Sequence, residues 1–130
     1  MTRKQAREET FILIFEKLFS DSTTEEILDL AVEVRDIVPD DYMKKVFFGV
    51  FENLESIDAL ISENSIGWKI ERISKTSLAV LRLSVFEISF CEDIPVSVSI
   101  NEAVELCKKY AGKEDSAFVN GILSTIAKKL

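Results

Sequence analysis

Three cations stand at the start of an otherwise acidic chain: Arg3, Lys4 and Arg7 lie within the first seven positions, whereas the formal net charge is −7. Arg3 and Lys4 fall in the first turn of a predicted helix, where the helix dipole disfavours each positive charge by roughly 0.3–1 kcal/mol. Arg3 also repels Arg7 one turn later. A bound anion would compensate for these conflicts, so the cluster predicts an anion-binding surface. The alternative is a solvated chain end without a function.

Motifs for catalysis or cofactor binding are absent from the sequence. The chain has no histidine, which removes the commonest general base. No glycine-rich phosphate loop, nucleophile elbow or dinucleotide fingerprint occurs. Cys91 and Cys107 have no histidine with which to form a conventional zinc site, so we expect two reduced cysteines in the core and no metal.

Three further features have a structural and a functional interpretation. Between Glu16 and Asp41 nine acidic residues face only two basic ones, a pattern typical of a solvated helical face or of a surface for a basic partner. Arg82 borders the apolar stripe of its helix, and we expect a structural ion pair. Trp68 lies at the edge of a loop, where we expect it to fasten that loop to the core.

Helices are the elements that would position these residues. Thr2 opens a capping box, and the apolar spacing that follows predicts a helix from about residue 3 to residue 19. A second helix would begin after Ser22 or Thr23, each of which has a glutamate three residues later. It would end before Pro39.

The middle of the chain predicts one long helix and one short turn. The long helix would begin after Asp40 and continue to about Ile61, with Gly49 inside it at a site of close helix packing. A short helical turn is expected within residues 68–73. The next helix would carry an apolar stripe over residues 78–88.

Two final helices are expected in the last third of the chain. Residues 94–100 alternate like a strand but are interpreted as an extended segment, because Ser99 opens a capping box with a glutamate three residues later. Gly112 suits the position that ends this helix. Asp115 or Ser116 would cap the last one. Six or seven helices and no sheet result.

Length and composition fit one domain spanning residues 1–130, since 47% hydrophobic content is enough for a core without disulfides. The apolar run "FILIF" is short and is followed by charged residues, so neither a signal peptide nor a membrane span is expected. We therefore expect a cytoplasmic protein.

Several stretches taken together resemble the NusB family of bacterial transcription antitermination factors. They occur in the family's order and spacing along the whole chain, with the more specific ones in the carboxyl-terminal half. The stretches are "ARE" at 6–8, "AVLRLSVFEI" at 79–88, "DIP" at 93–95, "INEAVELCKKY" at 100–110 and "FVNGIL" at 118–123.

This resemblance implies an all-helical fold of two packed three-helix halves. It implies a protein without catalysis or cofactor that binds boxA-like single-stranded RNA with NusE, a small-subunit ribosomal protein, in an RNA polymerase antitermination complex. The implied RNA-binding residues are Arg3, Lys4, Arg7, Tyr110, Asp115 and Phe118, and Phe15 matches an aromatic position at the protein partner's groove.

Two other functions remain open at the level of sequence. NusB-like domains also serve as substrate-binding modules of ribosomal RNA cytosine methyltransferases. Alternatively, the chain is a helical scaffold without RNA binding, which so small a basic cluster permits.

Overall fold

The computed structural model describes all 130 residues and confirms the predicted all-helical fold. It contains seven α-helices, one 3-10 turn at Ile70–Arg72 and no strand. The helices are α1 (Arg3–Lys17), α2 (Thr24–Arg35), α3 (Asp41–Glu52), α4 (Leu54–Asn64), α5 (Lys75–Phe90), α6 (Val96–Tyr110) and α7 (Lys113–Lys128).

The first two helices begin with the predicted capping boxes. The Thr2 side chain accepts a hydrogen bond from the amide of Gln5, whose side chain accepts one from the amide of Thr2. Thr23 and Glu26 form the same reciprocal pair at α2, so Thr23 rather than Ser22 is the cap. Each box satisfies two of the amide groups that a helix start leaves without a partner.

The prediction of one long helix after Asp40 is wrong, because the helix is interrupted at Asn53. This residue has φ −118° and ψ 22°, and its side-chain amide donates to the carbonyl of Gly49 at 2.8 Å. A side chain that bonds to the backbone in this way competes with regular helix geometry. Gly49 itself confirms the predicted close packing, since a Cβ at this position would overlap the ring of Phe86 on α5.

The predicted start of α6 is also wrong. The helix begins at Val96, and the amides of Val98 and Ser99 both donate to the carbonyl of Pro95. Proline suits a helix start because it lacks an amide that would need a partner. The hydroxyl of Ser99 is turned into the protein and caps nothing.

The connection from α6 to α7 is shorter than predicted. Gly112, with φ +148°, follows α6 as expected, and its amide donates to the carbonyl of Cys107 at 2.9 Å. The next helix starts at once at Lys113. Asp115 and Ser116 therefore lie inside the first turn of α7 and do not cap it.

Helix α5 is the centre of the fold. Every residue in Ser77–Glu87 is buried, as expected for a helix surrounded on all sides. It packs against α1 and α3 on one side and against α6 and α7 on the other. Helices α1, α2 and α3 form the amino-terminal half, and α6 and α7 belong to the carboxyl-terminal half. Helix α4 packs on α5 and α7, and Arg82 forms the predicted ion pair with Asp58 of α4, with Nη2 and Oδ2 2.9 Å apart.

Two other properties of the helices bear on the sequence-based expectations. Cys91 and Cys107 are buried and form no disulfide. None of the seven helices combines the length and the apolar composition that crossing a bilayer requires.

Candidate nucleic-acid interface

Arg7, one of the three predicted RNA-binding cations, is buried. Its side chain is 4% exposed, and its Nε donates to Oε2 of Glu87 on α5 at 2.8 Å, while Nη2 donates to Oε1 at 3.4 Å. This guanidinium is committed mainly to a buried carboxylate, although Arg7 also contributes to the lining of a cleft between α1 and α6. The structure therefore gives Arg7 a structural partner, and its contact with RNA stays a prediction.

Glu87 accepts hydrogen bonds from side chains of three other helices. Its fully buried carboxylate accepts hydrogen bonds from Arg7, from the hydroxyl of Tyr42 and, at 2.7 Å, from Oγ of Ser99. Burial of the phenol and the adjacent Glu87 charge raise the pKa of Tyr42 well above its ordinary value. Although burial disfavours the charged guanidinium, its hydrogen bond to Glu87 raises the pKa of Arg7. We call Arg7, Tyr42, Glu87 and Ser99 the buried polar cluster.

Arg3 and Lys4 remain exposed, in contrast to Arg7. The guanidinium carbon of Arg3 lies 4.5 Å from the centroid of the Tyr42 ring, a cation–π contact that leaves its donors open to solvent. Lys4 is 71% exposed, and its Nζ lies 3.1 Å from Oε2 of Glu102 on α6. Both predicted RNA-binding cations are therefore accessible.

Tyr110, at the end of α6, meets α1 through a carboxylate. Oε2 of Glu8 accepts hydrogen bonds from the Tyr110 hydroxyl and from Nζ of Lys109, and these bonds lower the pKa of Glu8. Partial burial, together with the bond to Glu8, raises the pKa of Tyr110. The Tyr110 ring packs on Phe11 at a centroid distance of 5.0 Å and is 41% exposed.

Helices α1 and α6 form a cleft of about 160 Å³, which we call the cation cleft. Its lining includes Lys4, Arg7 and Glu8 of α1 and Glu102, Leu106 and Lys109 of α6. Each exposed lysine of the cleft has a carboxylate partner: Lys4 has Glu102, and Lys109 has Glu8. Glu105 also lines the cleft. The cleft is thus nearly neutral in the free chain, and phosphate groups would compete with these carboxylates for the lysines.

Asp115 and Phe118, the other predicted RNA-binding residues, line a second cleft, of about 180 Å³. They share it with Trp68 and Arg72 from the segment between α4 and α5. We call this the aromatic cleft. The turn between α6 and α7 separates Asp115 and Phe118 from Tyr110 along the chain. The predicted RNA-binding residues therefore form two groups.

Trp68 makes the predicted contact toward the core through Phe118, which packs against the core. Its ring meets Phe118 edge to face at 6.0 Å, but the residue is 52% exposed. Neither Trp68 nor Lys109 was predicted as a functional residue. The sequence could have indicated Lys109 through its position next to Tyr110. Its contact with Glu8 could not be predicted, because the two residues are 101 positions apart.

Phe15, the predicted partner-binding residue, lines a groove of about 340 Å³ between α1 and α2. The exposed residues Phe19 and Leu30 share this groove, and the Phe15 and Phe19 rings lie 5.1 Å apart. Glu16 and Glu26 also line it. We call it the acidic groove, because an apolar floor with carboxylates beside it suits a basic protein partner.

No group of three or more histidine, cysteine, aspartate or glutamate side chains is placed to hold a metal ion.

Sequence comparison identifies close relatives over the full chain. Residues 4–128 match the model of the NusB family. The transcription antitermination protein NusB of Clostridium perfringens is 40% identical over 134 residues, covering 100% of this chain and 99% of the relative. That of Acetivibrio thermocellus is 43% identical, covering 98% and 90%.

Solved structures agree with the sequence comparison. The T. maritima NusB structure superposes with a TM-score of 0.87 at 35% identity, covering 99% of this chain and 92% of the other. NusB from a crystal structure of antitermination factors NusB and NusE in complex with dsRNA has a TM-score of 0.89 at 30% identity, covering 98% and 97%.

Proposed function

Because the chain belongs to the NusB family, we propose that it is a transcription antitermination factor acting by binding rather than by catalysis. It binds boxA-like single-stranded RNA together with NusE, within an RNA polymerase antitermination complex. The observation that carries this proposal is the likeness, over 98% of the chain, to a NusB that is bound to NusE and dsRNA.

The proposed RNA surface combines the cation cleft with the aromatic cleft. Single-stranded RNA is held by cations along its phosphates and by aromatic side chains against unstacked bases. Arg3 and Lys4 supply exposed cations, and Tyr110 and Phe118 supply aromatic rings. Asp115 offers a carboxylate acceptor to base edges, while Arg7 supports α1 from within the buried polar cluster.

The proposed site for NusE is the acidic groove around Phe15. A basic partner fits a groove whose apolar residues are accompanied by Glu16 and Glu26. The partner also has an electrostatic role, because the net charge of −7 opposes RNA and a basic protein adds cationic surface. The complex should therefore bind RNA more tightly than the chain alone.

Two accompanying expectations complete the proposal. We propose that residues 1–130 fold as one domain, supported by a continuous core of 31 buried hydrophobic residues and by α5, which packs on helices from both halves. Action on nascent bacterial RNA would make the protein cytoplasmic.

A helical scaffold without RNA binding is the second candidate. It is favoured by one observation, namely that Lys4 and Lys109 are each paired with a carboxylate. The two candidates predict opposite results in an RNA titration.

The experiment is a titration of labelled boxA-like RNA with the chain and with its NusE complex at several salt concentrations. We expect tighter binding by the complex. Replacing both exposed cations (Arg3→Gln with Lys4→Gln) should lower the log–log salt slope by up to about 1.4, at about 0.7 for each lost phosphate contact. The melting temperature should stay constant or rise slightly, because a helix start disfavours cations.

The matched control removes two lysines at other exposed positions, Lys44→Gln with Lys128→Gln, neither of which forms an ion pair. If the control weakens RNA binding as much as the Arg3 and Lys4 variant does, the loss of affinity comes from overall charge and not from contacts of Arg3 and Lys4. Absence of RNA binding by the unmodified complex would support the scaffold.

A further inference from the structure

The segment between α4 and α5 holds the only tryptophan of the chain in an exposed position. The amide of Trp68 donates to the carbonyl of Ser65 at 3.0 Å, and the buried Ser65 hydroxyl donates to the carbonyl of Trp68 at 3.0 Å. Gly67, with φ +81°, provides the turn between them. The backbone therefore fixes Trp68 while about half of its surface stays open.

The surroundings of the indole are suited to a planar, polar ligand. Phe118 packs against it edge to face, and the aromatic cleft is completed by Arg72, Ser74, Glu114 and Asp115. Aromatic rings bind unstacked bases, and hydroxyl and carboxylate oxygens can accept hydrogen bonds from base edges. This combination matches a nucleobase better than a purely apolar ligand.

The cations of this segment differ from those of the cation cleft. Lys69 and Arg72 are exposed and form no ion pair, whereas Lys4 and Lys109 are both paired. Phosphate groups could therefore contact Lys69 and Arg72 without displacing a carboxylate. The segment thus offers an aromatic platform and two available cations.

We propose that Trp68 stacks on an unstacked base of the bound RNA and that Lys69 and Arg72 hold the flanking phosphates. The RNA surface then continues from α1 and α6 across the turn between α6 and α7 to residues 66–72. This inference rests on the proposed function, since it requires that the complex with NusE binds RNA.

Tryptophan fluorescence gives a direct test because Trp68 is the single indole of the chain. A NusE preparation without tryptophan, from a variant if necessary, keeps the signal specific. Titration of the complex with boxA-like RNA should quench the emission, and the quenching should saturate at the concentration at which RNA anisotropy saturates. Saturated RNA binding without any change in emission would overturn the proposal.

Substitution gives the second readout. Trp68→Ala should weaken RNA binding by about 5- to 150-fold, the range for loss of one base–aromatic stack, whereas Trp68→Phe should retain most of the affinity. Phe90→Ala is the matched control, because Phe90 is similarly exposed but lies at the end of α5 outside both clefts. It should leave the affinity unchanged.

The outcomes separate this inference from the proposed function. The role of Trp68, but not the proposed function, would be rejected if the Trp68→Phe and Trp68→Ala variants bound RNA as tightly as the unmodified complex. Their melting curves must be comparable for this comparison. Replacing Lys69 and Arg72 with glutamine should lower the salt slope by up to about 1.4, and an unchanged slope would reject their role. An unmodified complex that binds no RNA would instead reject the proposed function.

Discussion

Arg3 and Arg7 lie one turn apart on the same side of α1, yet they belong to regions with opposite properties. Both guanidinium groups approach the ring of Tyr42, at 4.5 and 5.7 Å from its centroid. Arg7 is buried in the polar cluster, whereas Arg3 lies where the helix end projects beyond the core. Position along a helix, and not only the face, therefore decides whether a cation is structural or free to bind.

The two regions also differ in energetic terms. Breaking a buried ion pair leaves an uncompensated charge and costs about 3–5 kcal/mol, whereas an exposed pair contributes about 0–1 kcal/mol. The buried polar cluster should therefore govern stability, and the exposed side chains should govern RNA affinity. Neutralising Arg3, Lys4 and Arg7 together would mix the two effects.

The largest expected effect is a loss of stability on substitution of Arg7. Arg7→Gln removes the charged partner of the fully buried Glu87 carboxylate and should lower the free energy of unfolding by about 3–5 kcal/mol. Urea denaturation measures this change. Arg3→Gln is the control and should stay within about 0.5 kcal/mol of the unmodified chain. Similar small effects for both variants would remove the distinction between the regions.

An intermediate effect is expected at alkaline pH. Because burial and Glu87 raise the pKa of Tyr42 above its ordinary value of 10.0, the folded chain keeps a proton that the unfolded chain loses. The unfolded state then binds fewer protons, so the free energy of unfolding should fall above about pH 10, by up to about 1.4 kcal/mol per pH unit.

Comparison with Tyr42→Phe isolates this contribution. Burial also raises the pKa of Cys107, to about 11, but that thiol is present in both proteins. Urea denaturation between about pH 9 and pH 11 should show the steeper loss only when tyrosine is present. Parallel pH profiles for the two proteins would show that the phenol does not keep its proton in the fold.

The smallest expected effect concerns the exposed region and rests on the proposed function. Glu8→Gln removes the carboxylate that pairs with Lys109 and should strengthen RNA binding by the complex about two- to fivefold, in line with the small energy of an exposed pair. RNA anisotropy measures the change. Glu33→Gln removes the same charge from an exposed position of α2, so equal gains for both variants would reduce the effect to net charge.

Patterns within a few residues predicted much of the fold. The capping boxes at Thr2 and Thr23 use only neighbouring groups, and both are present. The same pattern at Ser99 and Glu102 failed because distant residues bind both side chains: Ser99 donates to Glu87, and Glu102 pairs with Lys4. A local motif predicts a cap only when no tertiary partner competes for it.

The candidate site was less predictable for the same reason. The sequence indicated the basic character of the chain start but not the burial of Arg7, which depends on a carboxylate eighty positions away. The contact of Glu8 with Lys109 and Tyr110 likewise joins opposite ends of the chain. The roles of Arg3, Lys4, Arg7, Tyr110, Asp115, Phe118 and Phe15 in binding remain predictions, and the RNA titrations above test those of Arg3 and Lys4.

The close approach of Gly49 to Phe86 has a consequence for how the sequence can change over evolutionary time. A Cβ at position 49 would occupy the space of the Phe86 ring, so the side chains possible at one position depend on the residue at the other. A lineage that exchanges glycine for a larger residue must first or simultaneously reduce the ring at position 86. A larger residue at position 49 alone would push α3 away from α5 and thereby shift the amino-terminal half, with its acidic groove, relative to α6 and α7. A smaller residue at position 86 alone would instead leave a cavity.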